Sequence, residues 1–258
     1  MSHILFCCAP HTPVLLSPTA TSQLETELRY GQGFICHETV GEFIRGDVVP
    51  LIAHPSGPIS TGYVNVKDLG DIADDAAYKV TALKAPVFSQ QNIKSRIKMI
   101  LPFGAYLQKF SVLKDSEFIH IGQEQYVHRH HIAPLGDYEP DFTFTAERHI
   151  GLPYIWGGIS SEGLDCSGLV QTALWAAGLP CPRNSGEQCI DLGQAIDLDA
   201  PLKRGDLVFW KGHVGIMQSE KYILHANGHH MLTISEPLNV AAQRIDKSTG
   251  PIIAIKRL

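Results

Sequence analysis

The stretch "YIWGGISSEGLDCSGLVQTALWAAGLP", residues 154–180, decides the fold of the C-terminal part of the chain. Asp165 can cap a helix whose first residue is Cys166, because a carboxylate there accepts from backbone amides that a helix start leaves unpaired. Leu164 before the cap and Leu169 at the fourth helical position have the spacing of a hydrophobic staple. Val170, Ala173, Leu174 and Ala177 continue an apolar face at three- and four-residue steps. Gly178 and Pro180 supply a left-handed stop and a residue that cannot continue the helix. A cysteine thus stands at a helix start, where unpaired amides and partial positive charge favour an anion. The position predicts a thiol more acidic than the free value of about 8.5. Asp165 opposes that effect unless its carboxylate is turned onto the backbone. Position alone leaves a small, inert buried residue as the alternative.

A thiol nucleophile needs a base. The stretch "GDLVFWKGHVGIMQSEKYILHANG", residues 205–228, offers His213 at the start of one strand and His225 near the end of the next. If the hairpin loop has three or five residues, such as Ser219 to Lys221, both imidazoles project from one face; a two- or four-residue loop puts them on opposite faces. In the first case one ring can orient the other, completing a nucleophile, a base and an orienting group.

Around this core the chain divides by texture. From about Ser22 to Leu69 short β-prone runs alternate with turn residues ("GFICHETVGEFI", "DVVPLIA", "HPSGPIS", "TGYVNVKDL"), and a second set runs from about Ala77 to Pro134. Strands this short and evenly spaced predict small barrels. The expected organisation is an N-terminal arm over 1–21, β modules over 22–72 and 73–137, and an α+β domain over 138–258. In that last domain "DFTFTAERHI" (141–150) and the quoted stretch are helical. Five strand-like segments from "GDLVFW" to "IIAIKRL" follow.

With 258 residues and a formal net charge of −5, the chain lacks the clustered cations that a nucleic-acid partner requires. The segment "MSHILFCCAPHTPVLLSP" has no Lys or Arg at its start, and Pro10 interrupts its apolar run, so it reads as mature sequence rather than a signal peptide. No stretch is long and apolar enough to span a bilayer, and no membrane partner is expected. Six cysteines without paired spacing indicate neither a disulfide scaffold nor a zinc ribbon, and a reduced, cytoplasmic setting is expected.

The motifs "Y-x-WGG", "LDCSGLVQ", "PRNSGEQ", "GDLVFW", "HVGIM" and "LHA", in this order, closely resemble the NlpC-type family of papain-like cysteine peptidases, which cut bacterial cell-wall peptides. The resemblance covers about 138–258. It implies a papain-like α+β catalytic domain with Cys166 as nucleophile, His213 as general base, His225 as its orienting partner and Tyr154 as an oxyanion donor beside the Cys166 amide. It also implies substrate-holding roles for Asp165, Ser167 and Ser185, each of which has a plainer reading as cap, helix residue or loop hydroxyl. "GYVNVKDL" resembles, more weakly, the end of a bacterial SH3-like domain, so two small all-β SH3-like barrels are expected before the catalytic domain. In relatives built this way the first such domain recognises a peptide ammonium with a tyrosine and an acid. Tyr63 and either Glu27 or Glu25 match here.

The implied activity is hydrolysis of the γ-D-glutamyl bond to a diamino acid in short peptidoglycan-derived peptides (L-Ala-γ-D-Glu-diamino acid) with a free N-terminal L-Ala, in cell-wall recycling. No metal or organic cofactor is required. The rivals are an inactive wall-peptide binding protein and an acyl or amide transferase on the same fold. "VHRHH", with His128, His130 and His131, has no acidic or cysteine partner at a defined spacing and reads as a solvated edge segment rather than a metal site. Cys181 and Cys189 read as inert thiols.

Overall fold

The computed structural model describes residues 3–53, 57, 59–71, 76–108, 111–112 and 116–258. The chain forms two units, Met1–Tyr138 and Glu139–Leu258.

Among its described residues the first unit is all β apart from two single-turn 3-10 segments. Its leading module is a seven-stranded sheet in the order Leu24–Arg29, His11–Leu15, Thr61–Asn65, Phe43–Val48, Gly33–Val40, His3–Cys7, Leu69–Gly70. This corrects the expected arm over 1–21. His3–Cys7 pairs with Gly33–Val40, and His11–Leu15 pairs with Leu24–Arg29. Pro10 sits in the turn between these two strands, and Cys7 and Val14 are fully buried. The apolar run is therefore a paired strand of the sheet, exposed at Ile4 and fully buried at Cys7. Most of the "HPSGPIS" run falls outside the described residues. The second module pairs a three-stranded sheet (Tyr106–Gln108, Ala76–Val80, Ile132–Pro134) with a five-stranded one around a core that includes Val80, Val87, Leu101, Leu107 and Val127.

The second unit is a six-stranded antiparallel sheet in the order Gln194–Ile196, Ala254–Arg257, Leu207–Trp210, His213–Met217, Tyr222–Asn227, Leu232–Pro237. Helix α1 (Phe142–Glu147) is capped by Asp141, which accepts from the Thr143 amide at 3.0 Å, and it ends three residues short of the expected 150. Helix α2 (Cys166–Ala176) packs on the strands His213–Met217 and Tyr222–Asn227. It starts and stops as its sequence requires. Asp165 accepts from the Gly168 amide at 2.6 Å. Gly178 takes φ +75°, with Gly178 N–H to Trp175 O at 3.1 Å and Leu179 N–H to Leu174 O at 2.9 Å forming a Schellman stop. The apolar face alone understates its burial, because Cys166 through Trp175 are all buried. Its polar residues must then find partners. Gln171 Nε2 donates to Cys181 O at 3.1 Å, and Ser167 Oγ donates to Asp165 at 3.2 Å. Helix α3 (Ser185–Asp191) carries a capping box of Asn184 and Glu187.

Helix α4 (Leu238–Thr249) was not among the expected elements. Leu238, Ala241, Ala242 and Ile245 recur at helical spacing and pack on Val208, Trp210, Met217 and Ile223 of the sheet.

Candidate active site

The start of α2 is fixed from below by backbone and from the side by charge. Asp165 Oδ2 accepts from the Gly157 amide at 2.9 Å and Oδ1 from the Gly168 amide. Arg183 grips both oxygens, Nη1 to Oδ1 at 3.0 Å and Nη2 to Oδ2 at 2.7 Å, and also donates to Ser167 Oγ at 3.0 Å. Arg183 is 1% exposed. A buried, bidentate Arg–carboxylate pair of this kind holds geometry strongly, because either partner alone would be an uncompensated charge. Gly168 is required here: a Cβ would lie 2.3 Å from the Gly158 carbonyl oxygen, so only glycine lets the helix approach that loop. Asp165 therefore spends its acceptors on the protein itself, as cap and as counter-charge.

The thiol differs from expectation. Burial pushes Cys166 up to about 12, with the charge of Asp165 adding to the rise; backbone hydrogen bonds from Val214 and Ser167 and the charge of Arg183 oppose it without cancelling it. Burial outweighs the helix start because Cys166 is only 7% exposed. The resting group is a neutral thiol. The backbone bond from Val214 also places the sulfur beside the strand that begins at His213.

The hairpin loop settles the open question of parity. Ile216 pairs with Leu224 and Met217 with Ile223, Gln218 N–H bonds Tyr222 O at 2.8 Å, and the loop is the three residues Ser219 to Lys221. His213 and His225 share a face, His213 Nε2 lying 2.8 Å from His225 Nδ1. Gly215 makes room, since a Cβ there would lie 2.6 Å from Ile223 Cδ1 and 3.2 Å from His225 Cβ. Burial and the nearby His225 and Arg244 hold His213 down to about 3, so it is neutral at rest. Beyond His225 the polar line continues: His225 Nε2 lies 2.8 Å from Glu236 Oε1, and Arg244 Nη1 donates to Glu236 Oε2 at 2.7 Å while its Nη2 reaches Oε1. Burial alone would raise the Glu236 carboxyl, but the hydrogen bonds from Arg244 and His225 win and hold it well below the usual carboxylate range.

Tyr154 is half-buried, its amide bonded to Met231 O at 3.0 Å and its ring 4.0 Å from where a Gly228 Cβ would lie. Burial, then the proximity of Cys166 and Asp165, pushes its phenol up, so it remains a hydroxyl donor. Ser185 opens α3 and is partly exposed. That helix is tied to α2 by Gln188, whose Nε2 donates to Ser167 O at 3.0 Å and Pro182 O at 2.9 Å. Seven of the expected site residues thus lie in the second unit. Tyr63 and Glu27 lie in the first, on strands paired with the same strand His11–Leu15, opposite Leu15 and Pro13 respectively. Glu27 is buried, with His11 Nδ1 3.2 Å from its Oε1, and Glu25 accepts from Ser60 Oγ at 3.1 Å.

Arg183, Glu236 and Arg244 carry no expectation from the sequence. Arg183 stands in the quoted "PRNSGEQ", where a lone cation near a capping aspartate was the available signal. Glu236 and Arg244 become visible only once strand register is known.

Residues 151–247 match the family model described as NlpC/P60 family. The chain is 36% identical over 110 residues to a gamma-D-glutamyl-L-lysine dipeptidyl-peptidase of Bacillus subtilis (strain 168), covering 38% of this chain and 36% of that one. It is 34% identical over 127 residues to a protein of the same name from Bacillus cereus (strain ATCC 10987 / NRS 248), covering 49% and 34%. The match thus spans about a third of the length of these relatives. Among solved structures, an NlpC/P60 family protein from Bacillus cereus ATCC 10987 shares the fold over 99% of both chains, with a TM-score of 0.82 at 20% identity. The match to the NlpC/P60 family model lies wholly in the second unit and takes in the buried Cys166 at the start of α2 and the His213–His225 pair.

Proposed function

We propose that this chain is a cysteine peptidase that hydrolyses the γ-D-glutamyl to diamino acid bond of short peptidoglycan-derived peptides with a free N-terminal L-Ala. The observation that carries the hydrolase reading is the unbroken polar line from His213 through His225 to Glu236, beginning beside a cysteine at a helix start. The bond preference is supported by the similarity to the two Bacillus relatives named gamma-D-glutamyl-L-lysine dipeptidyl-peptidase.

Thiol and imidazole are both neutral at rest, so the reaction begins with proton transfer. The Cys166 proton passes to His213 as the sulfur attacks the γ-carbonyl carbon, giving an imidazolium and a tetrahedral oxyanion. The Cys166 amide and the Tyr154 hydroxyl are donors for that oxygen, a contribution of about 3–4 kcal/mol per donor in comparable sites. The imidazolium protonates the leaving amine, the C–N bond breaks, and a thioester remains. His213 then takes a proton from water, which cleaves the thioester and frees the thiol.

The test is incubation of L-Ala-γ-D-Glu-diamino acid tripeptide with the protein and with Cys166→Ala. Release of L-Ala-D-Glu by the unaltered protein alone is expected. No turnover by either would favour a binding protein, and a coupled product seen only with added amine would favour a transferase. A second arm uses the same peptide acylated on its L-Ala nitrogen; equal turnover of both peptides would refute the free-amine preference.

A further inference from the structure

We propose that Glu236 and Arg244 are positioning residues for the thiol–imidazole pair: the Glu236 carboxylate, locked by Arg244, dictates which nitrogen of His225, and through it of His213, carries hydrogen. The inference deepens the cysteine-peptidase reading and rests on it for its rate measurements alone.

An ionised carboxylate only accepts hydrogen bonds. Glu236 Oε1 at 2.8 Å therefore requires the hydrogen of His225 on Nε2. A neutral ring has one donor and one acceptor, so His225 Nδ1 becomes the acceptor, and His213 Nε2, 2.8 Å away, must be the donor. That leaves His213 Nδ1 with a free lone pair, the form needed to receive the Cys166 proton. A reversed chain would put hydrogen on His213 Nδ1 and abolish the base. His225 is 0% exposed, so no solvent competes for its nitrogens. Arg244, on α4, takes both carboxylate oxygens and prevents the carboxylate from turning away. Glu236 itself takes no proton during the reaction; it orients the rings and faces the positive charge that His213 acquires, as carboxylates do behind catalytic histidines elsewhere.

The other charged or titratable groups around this line are few. His230 Nε2 lies 3.9 Å from Glu236 Oε1. Lys211 and His229 border the same surface depression as His213 and Arg244. On the α2 side stand Cys166 and the closed Asp165–Arg183 pair.

Glu236→Gln in the full chain tests the assignment. Arg244 can bond only the amide oxygen, so the amide NH2 turns to His225 and reverses every hydrogen in the line. The expected result is a fall in kcat of about 10²- to 10⁴-fold with KM within about threefold. Ring 15N resonances should show hydrogen on Nε2 of both His213 and His225 in the unaltered protein and on Nδ1 of both in the variant. Arg244→Met keeps the carboxylate, so its rings should match the unaltered protein. The two variants should move the acid limb of kcat/KM in opposite directions. Glu236→Gln removes a negative charge that favours imidazolium and moves the limb to lower pH; Arg244→Met removes a positive charge and moves it to higher pH.

Hydrogen on His213 Nδ1 in the unaltered protein would overturn the proposal. So would a Glu236→Gln variant with unaltered kcat, or one with reduced kcat and unchanged rings. If Glu236→Gln does not fold, the ring assignment in the unaltered protein decides alone. If the protein cuts no wall peptide, the ring assignment still tests the positioning, and only the functional reading fails.

Discussion

Two of the histidine clusters in this chain, one in each unit, differ in how their rings are wired. In the first unit His128 lies with its ring centroid 4.9 Å from that of His130 and 5.9 Å from that of His131. His128 closes the strand Gln125–His128 and caps the 3-10 turn Arg129–His131, accepting from the His130 amide at 3.3 Å. The expected edge strand therefore stops at His128, and its side chain serves the backbone. In the second unit the ring centroids of His213 and His225 are 5.0 Å apart, a similar spacing, yet their nitrogens meet at 2.8 Å and the contact continues to Glu236. Spacing of imidazoles is thus a poor guide to chemistry. A terminal acceptor that sets the direction of the hydrogens is the better one. Among the described residues no group of three or more His, Cys, Asp or Glu side chains is placed to hold a metal ion.

The largest effect that could break this contrast is expected at His213. His213→Ala should reduce peptide hydrolysis by about 10²- to 10⁴-fold, the usual weight of a general base. A residual rate near that of the unaltered protein, measured by dipeptide release, would mean that the wired cluster does no proton transfer.

Next comes the frame that holds the thiol. Arg183→Met leaves Asp165 as a buried charge without its partner and should cost about 3–5 kcal/mol of stability, read from the urea unfolding midpoint. The double variant Arg183→Met with Asp165→Asn should recover part of the loss. If the single variant is as stable as the unaltered protein, the pair is not what fixes the helix start.

A smaller effect is expected from pH. His213 and His225 are both held below the ordinary histidine value of about 6.5 by burial. The unfolded chain therefore binds more protons than the folded one as pH falls below that value. Their contribution is complete above about 6.5 and is lost as pH falls, for His213 progressively toward about 3. Thermal unfolding should shift to lower temperature between pH 7 and 4.5, and His213→Gln should flatten that shift; parallel curves would contradict it. The smallest effect belongs to the other cluster. Replacing His128, His130 and His131 together by Gln should leave kcat within about twofold, since nothing there sets a proton's path.

How much of this could be read from the chain follows from the range of each interaction. The α2 helix was legible because its cap, staple and stop lie within sixteen residues, from Leu164 to Leu179, and each has a local cause. The His213–His225 pairing was legible only as a condition, because periodicity does not encode whether a hairpin loop has three residues or four. Arg183 answers Asp165 from 18 residues away, and Glu236 answers His225 across a strand pair, so no local pattern announces them. The acidity of Cys166 was misjudged for a related reason: a helix start is a local feature, whereas enclosure by the surrounding sheet and loops is not. At the N-terminus the interruption at Pro10 was legible, but the pairing of the strands on either side of it, with residues 24–40, was not.

The most direct test is to quench the protein with acid during turnover of the tripeptide and map the covalent adduct. The account predicts an L-Ala-γ-D-glutamyl group on Cys166, with none on Cys181, the other buried thiol of this unit. Steady hydrolysis with Cys166 unmodified, or undiminished hydrolysis by Cys166→Ala, would contradict it.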